Sequence, residues 1–299
     1  MKLDEAAPPV VASPLAQRRA ALFWLVVVAA LLVVLYAGTL VRLAGLWLRD
    51  PNYSHGFLIP PLSAWLAWRY LRRAGWPSGG DAQLGCFTVV AGCMVHLGAY
   101  VAGWPPLDFV ALALLLRGLT VAVGGRDWAR GLLFPILFLF FMFPLPVNWT
   151  ATAALWLEDW VSRVAEALLS LFVVCSRHGN SLHLAGVPEP LTVAEECSGL
   201  RQIVTFVALG ALLGHLSGRP LPFGILLVLV AVPVAIAANV ARVLLMAIAA
   251  TQFGTGWLSS WLHHAPIMLT LPLGLGLYLL VGWGLGRLWP RRAPKGVPA

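Results

Sequence analysis

This chain predicts an all-α polytopic membrane protein with about eight transmembrane helices, on three observations. Of its 299 residues, 60% are hydrophobic and only 11% charged, against about 25% charged in a soluble domain. Apolar runs near the length needed to cross a hydrocarbon core recur from end to end. The weak alternation of an outer-membrane barrel is missing, and backbone amides inside lipid must then be paired within helices. The runs are Ala21–Leu40, Gly56–Tyr70, Leu84–Gly103, Leu107–Gly124, Gly131–Val147, Ser198–Leu216, Pro222–Ala250 and Pro266–Leu288. The second is short and rich in Pro and Trp.

Residues 1–20 are polar, contain Pro8, Pro9 and Pro14, and read as a cytoplasmic tail rather than a cleavable signal. Residues 21–289 read as one transmembrane domain with an extracytoplasmic segment at 148–197, and 290–299 as a second cytoplasmic tail. Within the segment, Asn148–Ser176 is amphipathic. Trp149, Trp156, Trp160, Leu168 and Leu169 oppose Glu158, Asp159, Arg163 and Glu166, a pattern for a short helix lying along the interface. After it, Gly179-Asn180 and Gly186-Val187-Pro188-Glu189-Pro190 mark turns, and Ser181–Leu184 and Leu191–Val193 could pair as a small hairpin.

The net charge of +8 does not indicate nucleic acid, because its distribution follows topology. With the N-terminus inside, the inner segments carry Lys2, Arg18, Arg19, Arg69, Arg72, Arg73, Arg126, Arg130, Arg219, Arg287, Arg291, Arg292 and Lys295. The outer ones carry Arg42, Arg49, Arg163 and Arg177. That asymmetry sets orientation by the positive-inside rule. Both termini are expected in the cytoplasm of a bacterial inner-membrane protein. Arg117, Arg201 and Arg242 fall within apolar runs. Asp108 and Arg117, nine residues apart in the fourth run, are too distant to pair along one helix.

Glu195-Glu196-Cys197-Ser198-Gly199-Leu200-Arg201-Gln202 is the most informative stretch. It places a thiol where a polar segment becomes an apolar helix, and a helix N-terminus favours the thiolate. Cys86 and Cys93, seven apart on one helix, read as packing, and four cysteines make no disulfide framework, although Cys175 and Cys197 could meet outside. Arg242 lies 20 residues after Pro222, a rise of roughly 30 Å, which brings it to the same outer level, with Asn239 one turn earlier. His263 and His264 stand at the start of the last run. Sulfur, guanidinium and imidazole therefore gather at one depth. Their chemistry fits attack on a carbonyl, with Cys197 as nucleophile, Arg242 holding the oxyanion and a histidine protonating the leaving amine. Glu195 and Glu196 oppose thiolate formation unless paired, and Arg201 is a plausible partner for one of them. His55, His178 and His183 have no metal-ligand spacing, and neither a metal nor a cofactor is expected.

These stretches resemble the exosortase/archaeosortase family of membrane transpeptidases, from about Tyr53 to Leu280. The matching segments are Tyr53-Ser54-His55-Gly56, Phe143-Pro144-Leu145-Pro146, Gly179-Asn180, Val193 to Leu200 around Cys197, and Asn239-Val240-Ala241-Arg242-Val243. The resemblance implies Cys197, Arg242 and His263 as catalytic residues. His264 remains the alternative, because neither is followed four residues later by the Gly usual in that family: Ile267 and Met268 stand there. It also implies membrane-anchored protein substrates bearing a C-terminal Pro-Glu-Pro sorting signal, a transmembrane helix and a basic tail. Cleavage at the outer face would pass through a thioester, with transfer to an unknown acceptor linked to exopolysaccharide. Besides substrates and acceptor, the lipid bilayer is the expected partner. A non-catalytic subunit of polysaccharide export and an outer-leaflet acyltransferase are the competing readings. Export or transport would place ionisable groups near the midplane rather than at one face.

Overall fold

The computed structural model describes residues 14–75, 79–193, 199–254 and 265–289, the side chains of 14–25, 29, 105 and 265–271 excepted. Helices dominate: α1 (Pro14–Arg49), α2 (Ile59–Ala74), α3 (Ala82–Ala102), α4 (Pro105–Gly131), α5 (Leu133–Phe138), α6 (Val147–Leu169), α7 (Leu200–Leu216), α8 (Leu221–Phe253) and α9 (Ala265–Leu288). The chain is an all-α polytopic membrane protein. Among the described residues, four helices are long and apolar enough to cross a bilayer, within α1, α3, α4 and α8. A fifth joins them if the bent pair Leu133–Met142 and Val147–Leu169 is one span, and α7 and part of α9 are shorter apolar helices.

Two expected spans change form for local reasons. The stretch Gly56–Tyr70 divides: a 3₁₀ segment covers Pro51–Leu58, and α2 begins only at Ile59. Asp50 caps that segment by accepting from the Asn52 amide, and Gly56 lies so close under the Trp47 indole that a Cβ there would come within 2.3 Å of Nε1. Trp47 Nε1 in turn donates to the Met142 carbonyl at 3.0 Å. The run Gly131–Val147 also divides, into α5 and a 3₁₀ turn over Leu139–Met142, followed by a 71° bend into α6. Phe143-Pro144-Leu145-Pro146 forces the bend, since each proline lacks the amide a helix needs and restricts the residue before it. α4 is broken at Gly125, whose φ is +62°, next to the end expected for the fourth span.

The amphipathic helix is α6, but its faces differ from the expected pattern. Trp149, Trp156 and Trp160 are exposed, while Ala154, Leu157, Glu158, Val161, Ser162, Ala165 and Leu169 are buried. Glu158 therefore belongs to the packed face, not the solvated one. The hairpin of β2 (Ser181–Leu184) and β3 (Leu191–Thr192) is present, with Leu182 opposite Leu191. A further strand, β1 (Cys175–His178), pairs antiparallel with β2. Leu182, Leu184, Leu191 and Val193 pack with Val161, Ala165 and Leu169 of α6 onto Val240, Val243 and Ala247 of α8. At 33 residues, α8 is roughly 50 Å long. Its later half carries the sheet through Val240, Val243 and Ala247.

The bundle thus has two unlike ends. One collects the Pro51–Leu58 segment, α6, the sheet, the start of α7 and the final third of α8. The other collects basic residues: Tyr70 donates to the Asp127 carbonyl, and Arg219 donates to the carbonyls of Gly286 and Trp289, closing the end of α9.

Candidate active site

The segment leading to Cys197 is held by α6. Arg177 of β1 pairs with Asp159 at 2.9 Å and with Glu166 at 3.5 Å, and its backbone amide donates to Glu166. Hydrogen bonds from Arg163 and Arg177 hold the Asp159 carboxyl below its ordinary value, so this clamp is charged at neutral pH. Beyond the turn, Asn180 grips Val193 twice. Its Nδ2 donates to the Val193 carbonyl at 3.0 Å and its carbonyl accepts from the Val193 amide at 2.9 Å. The same Nδ2 reaches buried Glu158 at 3.3 Å. Gly179-Asn180 therefore anchors the last described residue before the cysteine.

On the other side, Gly199 is the N-cap of α7, in the left-handed region at φ +86°. It packs against α8 so closely that a Cβ would lie 2.8 Å from Asn239 Cγ. A side chain there would meet both backbone strain and a steric block. Asn239 is fully buried and Arg242, one turn further, is 7% exposed, and both are engaged in polar interactions. Burying a guanidinium in an apolar helix costs several kcal/mol unless it is well paired. The first turn of α7 contains no acidic residue, so its positive end is not neutralised from within the helix.

A second element meets this point. Arg201 Nη1 donates to the Pro51 carbonyl at 3.2 Å, which ties the first turn of α7 to the 3₁₀ segment. His55 of that segment is partly buried, its Nδ1 is out of contact with solvent, and the carbonyls of Phe141 and Asn52 lie beside it. Burial, with a smaller contribution from the Arg201 charge, holds the imidazole below its ordinary value. In the sequence His55 stands within the family-like segment Tyr53-Ser54-His55-Gly56 and without metal-ligand spacing, and neither cue gives it a role. The contact that draws it toward α7 spans 150 positions, and no local pattern carries it.

Of the three residues expected to catalyse, Arg242 is a buried residue of α8, one turn beyond the Asn239 that meets Gly199. Cys197, His263 and the alternative His264 lie outside the described residues, as do Glu195 and Glu196. Arg201, expected to pair with one of those glutamates, donates to the Pro51 carbonyl among the described residues. The described thiols, Cys86, Cys93 and Cys175, are free. Cys175, the one near the sheet, is a poor nucleophile, because burial and then the Glu166 charge raise its pKa.

A family model described as transmembrane exosortase matches residues 47–282. That span contains Gly199, Arg201, Asn239 and Arg242 together with the Pro51–Leu58 segment. No curated protein and no solved structure matches the chain.

Proposed function

We propose that this chain, which belongs to the transmembrane exosortase family, is a membrane cysteine transpeptidase that cuts C-terminal sorting signals at the extracytoplasmic face. The observation that carries the reading is the contact between Gly199 and Asn239 beside buried Arg242. Cys197 stands two positions before Gly199, a reach of at most about 7 Å. Chain connectivity therefore lets the proposed nucleophile reach the neighbourhood of the proposed oxyanion ligand. The basic residues at the opposite end of the bundle support the orientation, since that end suits the cytoplasm.

In this mechanism the Cys197 thiolate attacks the carbonyl carbon of the scissile peptide. The C–S bond forms as the carbonyl π pair moves to oxygen, where Arg242 stabilises the charge. His263 gives a proton to the departing amine as the C–N bond breaks, leaving an acyl thioester on Cys197. An acceptor nucleophile then takes the acyl group and returns the sulfur to thiolate. A substrate anchored with its basic tail inside would present a Pro-Glu-Pro signal at the same rim.

Co-expression of a candidate substrate with the Cys197→Ala variant tests the reading. The substrate is expected to keep its C-terminal anchor, read by mass spectrometry of its C-terminus; anchor removal at the normal rate would exclude the thiol mechanism. Arg242→Ala is expected to slow cleavage by about 10²–10³, the cost of losing one oxyanion donor. A trapped intermediate carrying a lipid acyl chain rather than a peptide would favour the acyltransferase alternative.

A further inference from the structure

We propose that a pocket between α1, α3 and α4 binds the phosphate of a membrane phospholipid, with Arg42 as the anion ligand. The cavity is about 430 Å³. It is formed by the later half of α1, the last turns of α3 and the first turn of α4, so it opens toward the same end of the bundle as the Pro51–Leu58 segment. Arg42 stands seven residues before the end of α1, roughly 10 Å along the axis.

Asp108 forms the floor and is 6% exposed. Its Oδ1 lies 3.1 Å from His96 Nδ1. Its Oδ2 accepts from Thr39 Oγ1 at 3.2 Å and stands 3.6 Å from Arg42 Nη2. Arg42 Nη2 donates to Thr39 Oγ1 at 2.9 Å. Oδ2 is thus shared by Thr39 and Arg42, and Asp108 holds Nη2 while the other guanidinium nitrogens make no hydrogen bond among the described residues. The Arg42 side chain nevertheless remains 66% exposed on a helix long and apolar enough to cross the membrane.

A guanidinium has five N–H donors in a planar fork suited to phosphate. Only one nitrogen, Nη2, makes a hydrogen bond among the described residues. Tyr100 and Trp104 line the same pocket and are exposed, and such rings settle at headgroup level. Leu35, two turns deeper on α1 than Arg42, adds an apolar wall. A fixed cation near headgroup depth, with an apolar wall and aromatic rings, matches a lipid phosphodiester. Simple snorkelling of Arg42 toward water would require no ligand, and the two differ in outcome.

The test measures thermal unfolding of the detergent-solubilised full chain as lipid is added. Phosphatidylglycerol is expected to raise the midpoint saturably, and diacylglycerol with the same chains is not. Arg42→Gln is expected to weaken the apparent affinity at least tenfold. Leu35→Trp, which leaves the Arg42–Thr39–Asp108 chain intact but narrows the pocket, is expected to do the same and keeps the test alive if Arg42→Gln does not fold. Equal stabilisation by diacylglycerol, or unchanged affinity in the variants, overturns the proposal. Inorganic phosphate reproducing the whole effect overturns the lipid assignment and leaves a free-anion site.

Discussion

At the scale of single residues, burial decides what each polar group can do. Arg242 is 7% exposed and Asn239 fully buried, so their positions are set by packing rather than by solvent. His55 is perturbed by the same desolvation, and the sign of its effect on stability follows. Its folded pKa lies below the unfolded value of about 6.5. The folded state therefore binds fewer protons than the unfolded state in the window between the two. The stability gained from a neutral, packed His55 is fully present above pH 6.5 and is lost as pH falls through the folded value. The midpoint of thermal unfolding is expected to drop between pH 7.5 and pH 5.5, and His55→Gln is expected to flatten that slope. An unchanged slope in the variant would mean that other groups set the pH dependence.

At the scale of elements, the segment around Cys197 is held from two sides by different devices. The upstream side depends on Asn180, whose amide and carbonyl bond Val193 while the amide also reaches Glu158. Asn180→Ala is expected to destabilise by about 1–3 kcal/mol, because each lost hydrogen bond is worth about 1 kcal/mol and partners are left buried. Cleavage is expected to fall with it while membrane insertion is unchanged, measured as protein in the membrane fraction against substrate processed. Normal processing with a lowered melting midpoint would separate the anchor from catalysis. The downstream side depends on Gly199 at φ +86° against Asn239. Turn signals at Gly179-Asn180 and the hairpin strands were legible in the sequence because those cues are local. The third strand, β1, was not, since Cys175–His178 shows no apolar alternation and pairs only because β2 is beside it. Glu158 was misread for a related reason: a helical wheel sees a charge, whereas the fold supplies Asn180 to satisfy it.

At the scale of the molecule, one end of the bundle carries the sheet and the α7 N-terminus, and the other carries the arginines of α2, α4 and the α7–α8 turn. Single cysteines placed in a variant lacking the native four report which end faces out. Glu189→Cys, on the exposed β2–β3 connection, is expected to react with a membrane-impermeant maleimide in intact spheroplasts. Arg73→Cys, exposed near the end of α2, is expected to react only after permeabilisation. The reverse pattern would invert the topology and move the proposed site to the cytoplasm.

The sequence alone determined that this is a helical membrane protein, because transfer of apolar side chains and pairing of backbone amides depend on composition and run length, not on partners. It also marked the family segments, which lie within the matched residues 47–282. Tertiary structure decided which polar groups meet. Asp108 looked unpartnered along its own helix, yet Thr39, Arg42 and His96 reach it from α1 and α3. Arg201 found the Pro51 carbonyl 150 positions away. A periodic pattern reports which face of a helix is apolar. It carries no information on which other helix supplies the opposing charge, and helix packing alone creates those contacts.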